Sequence, residues 1–127
     1  MRITRIKCIL LGIGLLWALS CFPQEDGTIK KIDKATMETE VIGKDVQLVD
    51  VRTPMEYNNG HIDDAVNFDV NGSSFPKQIK TLDKEKPVYL YCKMGGRSNR
   101  AAEILKSKGF KKIFDYTGGY DDWRSQD

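Results

Sequence analysis

Short apolar segments recur along this chain, each followed by a turn and a helical pattern, and that alternation constrains the fold more than any other feature. "VQLVDV" (46–51), "AVNFDV" (65–70), "PVYLYC" (87–92) and "KKIFDY" (111–116) read as strands, rich in β-branched and aromatic residues. "IKKID" (29–33) is a shorter edge-strand candidate. Between them, "KATMETEVIG" (34–43) predicts a short helix closed by Gly43, a good C-terminal cap residue. "SSFPKQIKTLD" (73–83) predicts a second helix, provided Pro76 sits in its first turn. "RSNRAAEILKSKG" (97–109) places Ala101, Ile104 and Leu105 on one face and ends at Gly109. "GGYDDW" (118–123) reads as a turn or single helical turn that docks Trp123. Thr53 followed by Pro54, with Glu56 three residues on, is a helix start with a capping box.

Strands alternating with short helices imply parallel β–α units in a sheet covered on both faces. Such sheets bind ligands in the loops that leave the carboxyl ends of their strands. Asp50–Arg52 and Cys92–Arg97 are therefore expected on one rim. The fold alone names no function.

The first residues belong to a different segment. "MRITRIKCILLGIGLLWALSC" has Arg2, Arg5 and Lys7, then an apolar run from Cys8 to Leu19, then Ser20 and Cys21. A basic start, a short apolar stretch and a small residue before a cleavage point read as a secretory signal over residues 1–20. The run is shorter than the roughly 20 residues a spanning helix needs. Cysteine at the end of that run resembles a bacterial lipoprotein signal, with Ala18 where leucine is usual, and implies lipid on Cys21 and a periplasmic tether, with simple secretion of a soluble chain as the alternative. "CFPQEDGT" (21–28) reads as that tether, and 29–127 as one domain. Residues 1–20 carry three of the 20 Lys+Arg and none of the 18 Asp+Glu, leaving 17 cations against 18 carboxylates, or −1. The basic balance of the full chain belongs to the leader and gives no reason to expect nucleic acid.

That accounting isolates Cys92. On that expectation Cys8 leaves with the leader and Cys21 carries lipid, which would leave Cys92 an unpaired thiol in a compartment that tends to oxidise thiols. After it come Lys93, Met94, Gly95 and Gly96, then Arg97 at the start of a helix. Successive glycines let several backbone N–H groups turn into one concavity. Beside a helix N-terminus that nest favours an anion, and a sulfur there should have a lowered pKa. Lys93, Arg97 and Arg100 add positive charge. The competing readings of Cys92 are a buried core thiol, a disulfide to Cys21, and a cysteine–histidine pair with His61, the only histidine. No second cysteine stands at metal-ligand spacing. Arg52 either holds an anion at the rim or pairs with Glu56, and Asp50 accepts hydrogen bonds from loop amides. His61 reads as a hydrogen-bonded turn residue, Tyr120 and Trp123 as lids on the core, and the Lys106, Lys108, Lys111 and Lys112 cluster as a solvated face.

"LVDVRTPMEYNNGHIDDAVNFD", "VYLYCKMGGRSNRAAEILKSKGF" and "IFDYTGGYDDW" together resemble the successive signature segments of a single-domain rhodanese, over roughly residues 29–125. The resemblance implies a three-layer α/β sandwich with a mainly parallel central sheet and helices on both faces. It implies a sulfurtransferase in which Cys92 takes sulfur from a small anionic donor such as thiosulfate or a polysulfide. The persulfide formed then passes its sulfur to a thiol, cyanide or protein-thiol acceptor, with no metal or organic cofactor. Lys93, Met94, Gly95, Gly96 and Arg97 would bind substrate together with Arg52, with Asp50 and Ser98 in support. A sulfur carrier or redox-sensing module is the alternative. Phosphatases and arsenate reductases of the same fold have five residues between cysteine and arginine; here there are four.

Overall fold

The computed structural model describes residues 27–126. The leader, Cys8, Cys21 and all but the last two residues of the tether lie outside them. Five strands form one sheet in the order β1-β5-β4-β2-β3, and every neighbouring pair is parallel. They are β1 (Thr28–Ile32), β2 (Gln47–Asp50), β3 (Val66–Asn67), β4 (Val88–Tyr91) and β5 (Lys112–Tyr116). The helices are α1 (Lys34–Thr36), α2 (Pro54–Asn58), α3 (Phe75–Gln78), α4 (Gly96–Ser107) and α5 (Gly119–Arg124). The expected sandwich is present.

Alternation along the central strand builds the two cores. All four residues of β4 are buried, as a strand covered on both faces requires. Val88 and Leu90 face α3 and α4, where Phe75, Ala101, Ala102 and Leu105 pack on them. Tyr89 and Tyr91 face the other way, toward Met37, Val41 and Ile62. On α4 the buried stripe is Ser98, Ala101, Ala102 and Leu105, at the spacing of one helix face. Ile104, expected on that face, is half-buried at its edge.

Four elements depart from expectation. Thr28, assigned to the tether, is the first residue of β1, with its N–H donating to the Lys111 carbonyl at 3.0 Å. The 34–43 helix is one α-turn that widens into a π-turn over Met37–Val41. The Ile42 N–H bonds five residues back to Met37, and the wider turn buries both Met37 and Val41. The 65–70 strand pairs only at Val66 and Asn67. Beyond them the Asn67 side chain bonds the Asp50 and Arg52 carbonyls, and Asp69 opens a turn by accepting from Asn71 and Gly72. The 73–83 helix, with Pro76 in its first turn as required, tightens into a 3-10 turn over Ile79–Thr81.

The start of α2 is as expected. Thr53 Oγ1 accepts from the Glu56 N–H, and the Glu56 carboxylate accepts from the Thr53 N–H at 3.0 Å. A helix of five residues cannot hold itself without such partners. Thr53→Ala is expected to lower the free energy of unfolding by about 1 kcal/mol, read from a urea midpoint with unchanged slope.

Candidate active site

Parallel pairing puts the ends of β2 and β4 side by side, with Asp50 opposite Tyr91, and the Val51 N–H then bonds the Tyr91 carbonyl at 3.0 Å. Arg52 and Cys92 thus begin adjacent loops on the same rim, as the strand order demands.

The loop from Cys92 to Arg97 is held by its glycines and by α5. Gly95 adopts φ +101°, and a Cβ there would lie 2.8 Å from the Thr117 carbonyl oxygen. Gly119 adopts φ +67°, and a Cβ would lie 2.5 Å and 2.6 Å from the carbonyl oxygens of Lys93 and Cys92. That contact brings the first amides of α5 onto the loop: Tyr120 N–H donates to the Cys92 carbonyl at 2.8 Å and Asp121 N–H to Lys93 at 3.2 Å. With carbonyls engaged outward, amides turn inward. Gly95 N–H donates to Cys92 Sγ at 3.1 Å. The thiol lies 3.6 Å from Ser98 Oγ, whose own proton goes to the Gly95 carbonyl at 3.2 Å.

Cys92 is 1% exposed. Burial is the largest single influence on its thiol and pushes the pKa up. The Ser98 hydroxyl and the amides of Ser98, Gly95 and Met94 together outweigh it, so the pKa is lowered. The N-terminus of α4 points its dipole at the same place. Cys92 thus belongs to the core under α4, and the hydrogen bonds around its sulfur hold its pKa below the ordinary thiol value.

The arginines are paired otherwise than expected. Arg52 does not reach Glu56. Its Nη2 bonds Asp50 Oδ2 at 2.6 Å and the Gly60 carbonyl at 2.7 Å, and its Nε lies 3.0 Å from each Asp50 oxygen. Residues two apart on extended chain share a side, which favours Asp50 over the next helix turn. Tyr120 lies over the guanidinium at 4.2 Å and Tyr91 at 5.7 Å. Both members of this pair are buried. Asp50 also accepts from an amide, that of Arg52 at 2.9 Å. Glu56 instead takes Arg97 in a two-pronged pair, at 2.7 Å and 2.8 Å. Hydrogen bonds from Arg97 first, then from Thr53, hold the Glu56 carboxyl at about 2 against the opposing effect of burial.

Other expected residues fall around this centre. Lys93 is exposed, and Met94 is 73% exposed at the loop's tip. Arg100 is exposed and bonds Asn71 Oδ1. Ser98, at the start of α4, is fully buried. His61 bonds the Tyr57 carbonyl and stacks on the Tyr57 ring at 3.9 Å, a turn residue as expected. Trp123 and Tyr120 are half-buried over the second core. Of the four lysines near the C-terminus, Lys106, Lys108 and Lys112 are exposed and Lys111 half-buried. The Glu56–Arg97 pair is not visible in the sequence, where Glu56 has only near partners, Thr53 as a cap and Arg52 as a cation, while Arg97 lies 41 residues away.

A carboxyl moved from an ordinary 4.5 to about 2 in the fold stabilises it fully above pH 4.5 and progressively less toward pH 2. Glu56→Gln is therefore expected to flatten the fall in stability between those limits, measured by urea unfolding across pH, while costing stability at neutral pH.

Residues 33–126 match the Rhodanese-like domain family. The tRNA uridine(34) hydroxylase of Pelagibacter ubique is 38% identical over 89 residues, which is 69% of this chain and 30% of that protein. The thiosulfate sulfurtransferase GlpE of Shewanella oneidensis is 36% identical over 80 residues, or 63% of this chain and 77% of that one. A rhodanese-like domain protein of Staphylococcus aureus superposes with TM-score 0.68 at 28% identity, covering 76% of this chain and 93% of its own. With that family matched over almost all of the described residues and the fold shared with a rhodanese-like domain protein, this chain belongs to the rhodanese-like domain family.

Proposed function

We propose that this protein is a sulfurtransferase whose Cys92 thiolate carries sulfane sulfur between a small anionic donor and a thiol or cyanide acceptor. The observation that carries this reading is the Cys92 sulfur itself, buried yet favoured as thiolate by the Ser98 hydroxyl and three loop and helix amides. With thiosulfate, the thiolate attacks the outer sulfur, the S–S bond of the donor breaks, and sulfite leaves with the electron pair. Cys92 then bears a persulfide anion, and charge is conserved without a proton. A thiolate acceptor attacks the terminal sulfur, leaves as its own persulfide and regenerates the Cys92 thiolate; cyanide leaves as thiocyanate. This is two-step covalent catalysis.

The loop amides that favour the thiolate suit the persulfide anion equally. Arg97, set in place by Glu56, is partly exposed and Lys93 of the same loop is exposed, so both attract an anionic donor. Arg52 acts from beneath. Paired with Asp50 and covered by Tyr120, it fixes the rim and does not touch the donor. Four residues between Cys92 and Arg97 favour sulfur over the larger phosphate or arsenate.

The reading extends to location. The basic and apolar pattern of residues 1–20, ending at Cys21, supports a mature chain that begins at a lipid-bearing Cys21 in the periplasm. Intact mass of the membrane fraction is expected to show acylated Cys21 at the N-terminus; a free Cys21 thiol there would overturn the anchor.

Incubation with thiosulfate is expected to add about 32 Da to the Cys92 peptide, removable by cyanide, with none added in Cys92→Ser. Persulfide that forms but yields to protein thiols alone, and not to cyanide, would identify a sulfur carrier. No adduct from thiosulfate or polysulfide, with turnover of a phenyl phosphate instead, would overturn sulfur transfer.

A further inference from the structure

Asp115 is a buried carboxyl group that the mechanism so far leaves unused. It lies in β5, in register between Lys31 of β1 and Leu90 of β4. Alternation from Ile113, which belongs to the core under α4, puts its side chain on that same face, from which Cys92 also projects. The residue has 0% exposure, and neither carboxyl oxygen has a hydrogen-bond partner. An ionised carboxylate left without partners in a protein interior is very costly. Around it lie Ser98 of α4, exposed Lys31 of β1 and the apolar body of β4, and with Lys31, Gly95, Gly96, Asn99 and Thr117 it lines a cavity beside the Cys92 loop. Burial raises its pKa, and this outweighs the lowering effects of Ser98 and of exposed Lys31.

The Ser98 hydroxyl connects Asp115 to the reaction. It has one proton and two lone pairs. With Cys92 as thiol, that proton goes to the Gly95 carbonyl and the S–H points at Ser98 Oγ. Once Cys92 is a thiolate or persulfide, the S–H donor is gone and the Ser98 proton is needed at sulfur. Ser98 Oγ then has lone pairs to fill, deep in the core, and Asp115 is the side chain placed to fill them. An ionised Asp115 would act in the opposite sense: it would draw the Ser98 proton away from sulfur and add a second negative charge to the same space.

We propose that Asp115 is a positioning residue for the nucleophile: as a neutral acid it donates its O–H to Ser98 Oγ and thereby turns the Ser98 proton onto the Cys92 sulfur. Asp115 keeps its proton throughout, and the proton that Cys92 loses goes to solvent. The inference rests on Cys92 acting as a thiolate. Its test reads that thiolate directly, so it can fail or succeed independently of sulfur transfer.

The measurement is the rate of iodoacetamide alkylation of the Cys92 peptide against pH, on the full chain, with mass spectrometry separating Cys92 from the other two cysteines. Asp115→Leu removes the donor with a side chain of similar shape and no orphaned polar atoms, so its urea midpoint should not fall. Its titration midpoint should rise by about one unit, a tenfold slower alkylation at pH 6. Asp115→Asn can still donate N–H to Ser98 Oγ and should stay within threefold of the parent. Ser98→Ala should lose as much as Asp115→Leu, and the double variant no more than Ser98→Ala alone, since both act through one hydroxyl. Alkylation of Asp115→Leu at the parent's rate or faster would overturn the proposal, the faster result indicating a charged Asp115. A loss beyond threefold in Asp115→Asn would overturn it even if the leucine variant did not fold.

Discussion

Glu56 is the point at which the scaffold and the site become one structure. Its Oε2 caps the first turn of α2 by accepting from the Thr53 amide and hydroxyl, and Oε2 together with Oε1 holds Arg97 at the first turn of α4. Charge-assisted, two-pronged contacts of this kind fix direction as well as distance. The β2–α2 turn therefore sets where the arginine of the Cys92 loop can point. One layer deeper, Asp50 and Arg52 do the same for the rim, with Gly60 and Tyr120 closing the remaining sides of the guanidinium. A buried ion pair adds little net stability when every partner is present, yet losing one partner is expensive. The buried Asp50–Arg52 pair therefore acts chiefly to exclude other arrangements of the rim, while the partly exposed Glu56–Arg97 pair also stabilises the fold.

The chemistry of the loop is a contest between burial and hydrogen bonding, and its outcome rests on backbone geometry. A thiol this well buried would ordinarily resist ionisation. Here α5 occupies the loop's outward carbonyls with its own first amides, which leaves the ring free to aim others at sulfur. Gly119 is what lets α5 come so close, and Gly95 is what lets the chain turn inward against Thr117. Replacing either glycine would disturb the nucleophile through the backbone of its loop, without contact to its sulfur.

Much of this was legible in the sequence. The parallel sheet, the Thr53 cap, the rim shared by Arg52 and Cys92, and the loop itself follow from local patterns whose physics is local. What was not legible depends on partners distant in the chain. Arg52 had two carboxylates within reach, and only the packed rim, with Tyr120 stacked from α5, decides for Asp50. Glu56 already satisfied a capping rule, so nothing flagged its second partner 41 residues away. The six-residue strand expected at 65–70 shrinks because Asn67 and Asp69 offer the backbone side-chain partners that compete with a ladder. Asp115 looked like one polar residue in a strand, and its isolation appears only once β1, β4 and α4 surround it.

The depth of Cys92 has a consequence for timing. At 1% exposure the bare sulfur sits below the protein surface, sheltered from bulky thiols and from disulfide formation with neighbours. Adding one sulfur extends the side chain by about 2 Å, the length of an S–S bond. If Cys92 carries sulfane sulfur as proposed, the group offered to an acceptor is the cargo, while the atom that carries it stays under cover. The empty form would then be passed over by geometry.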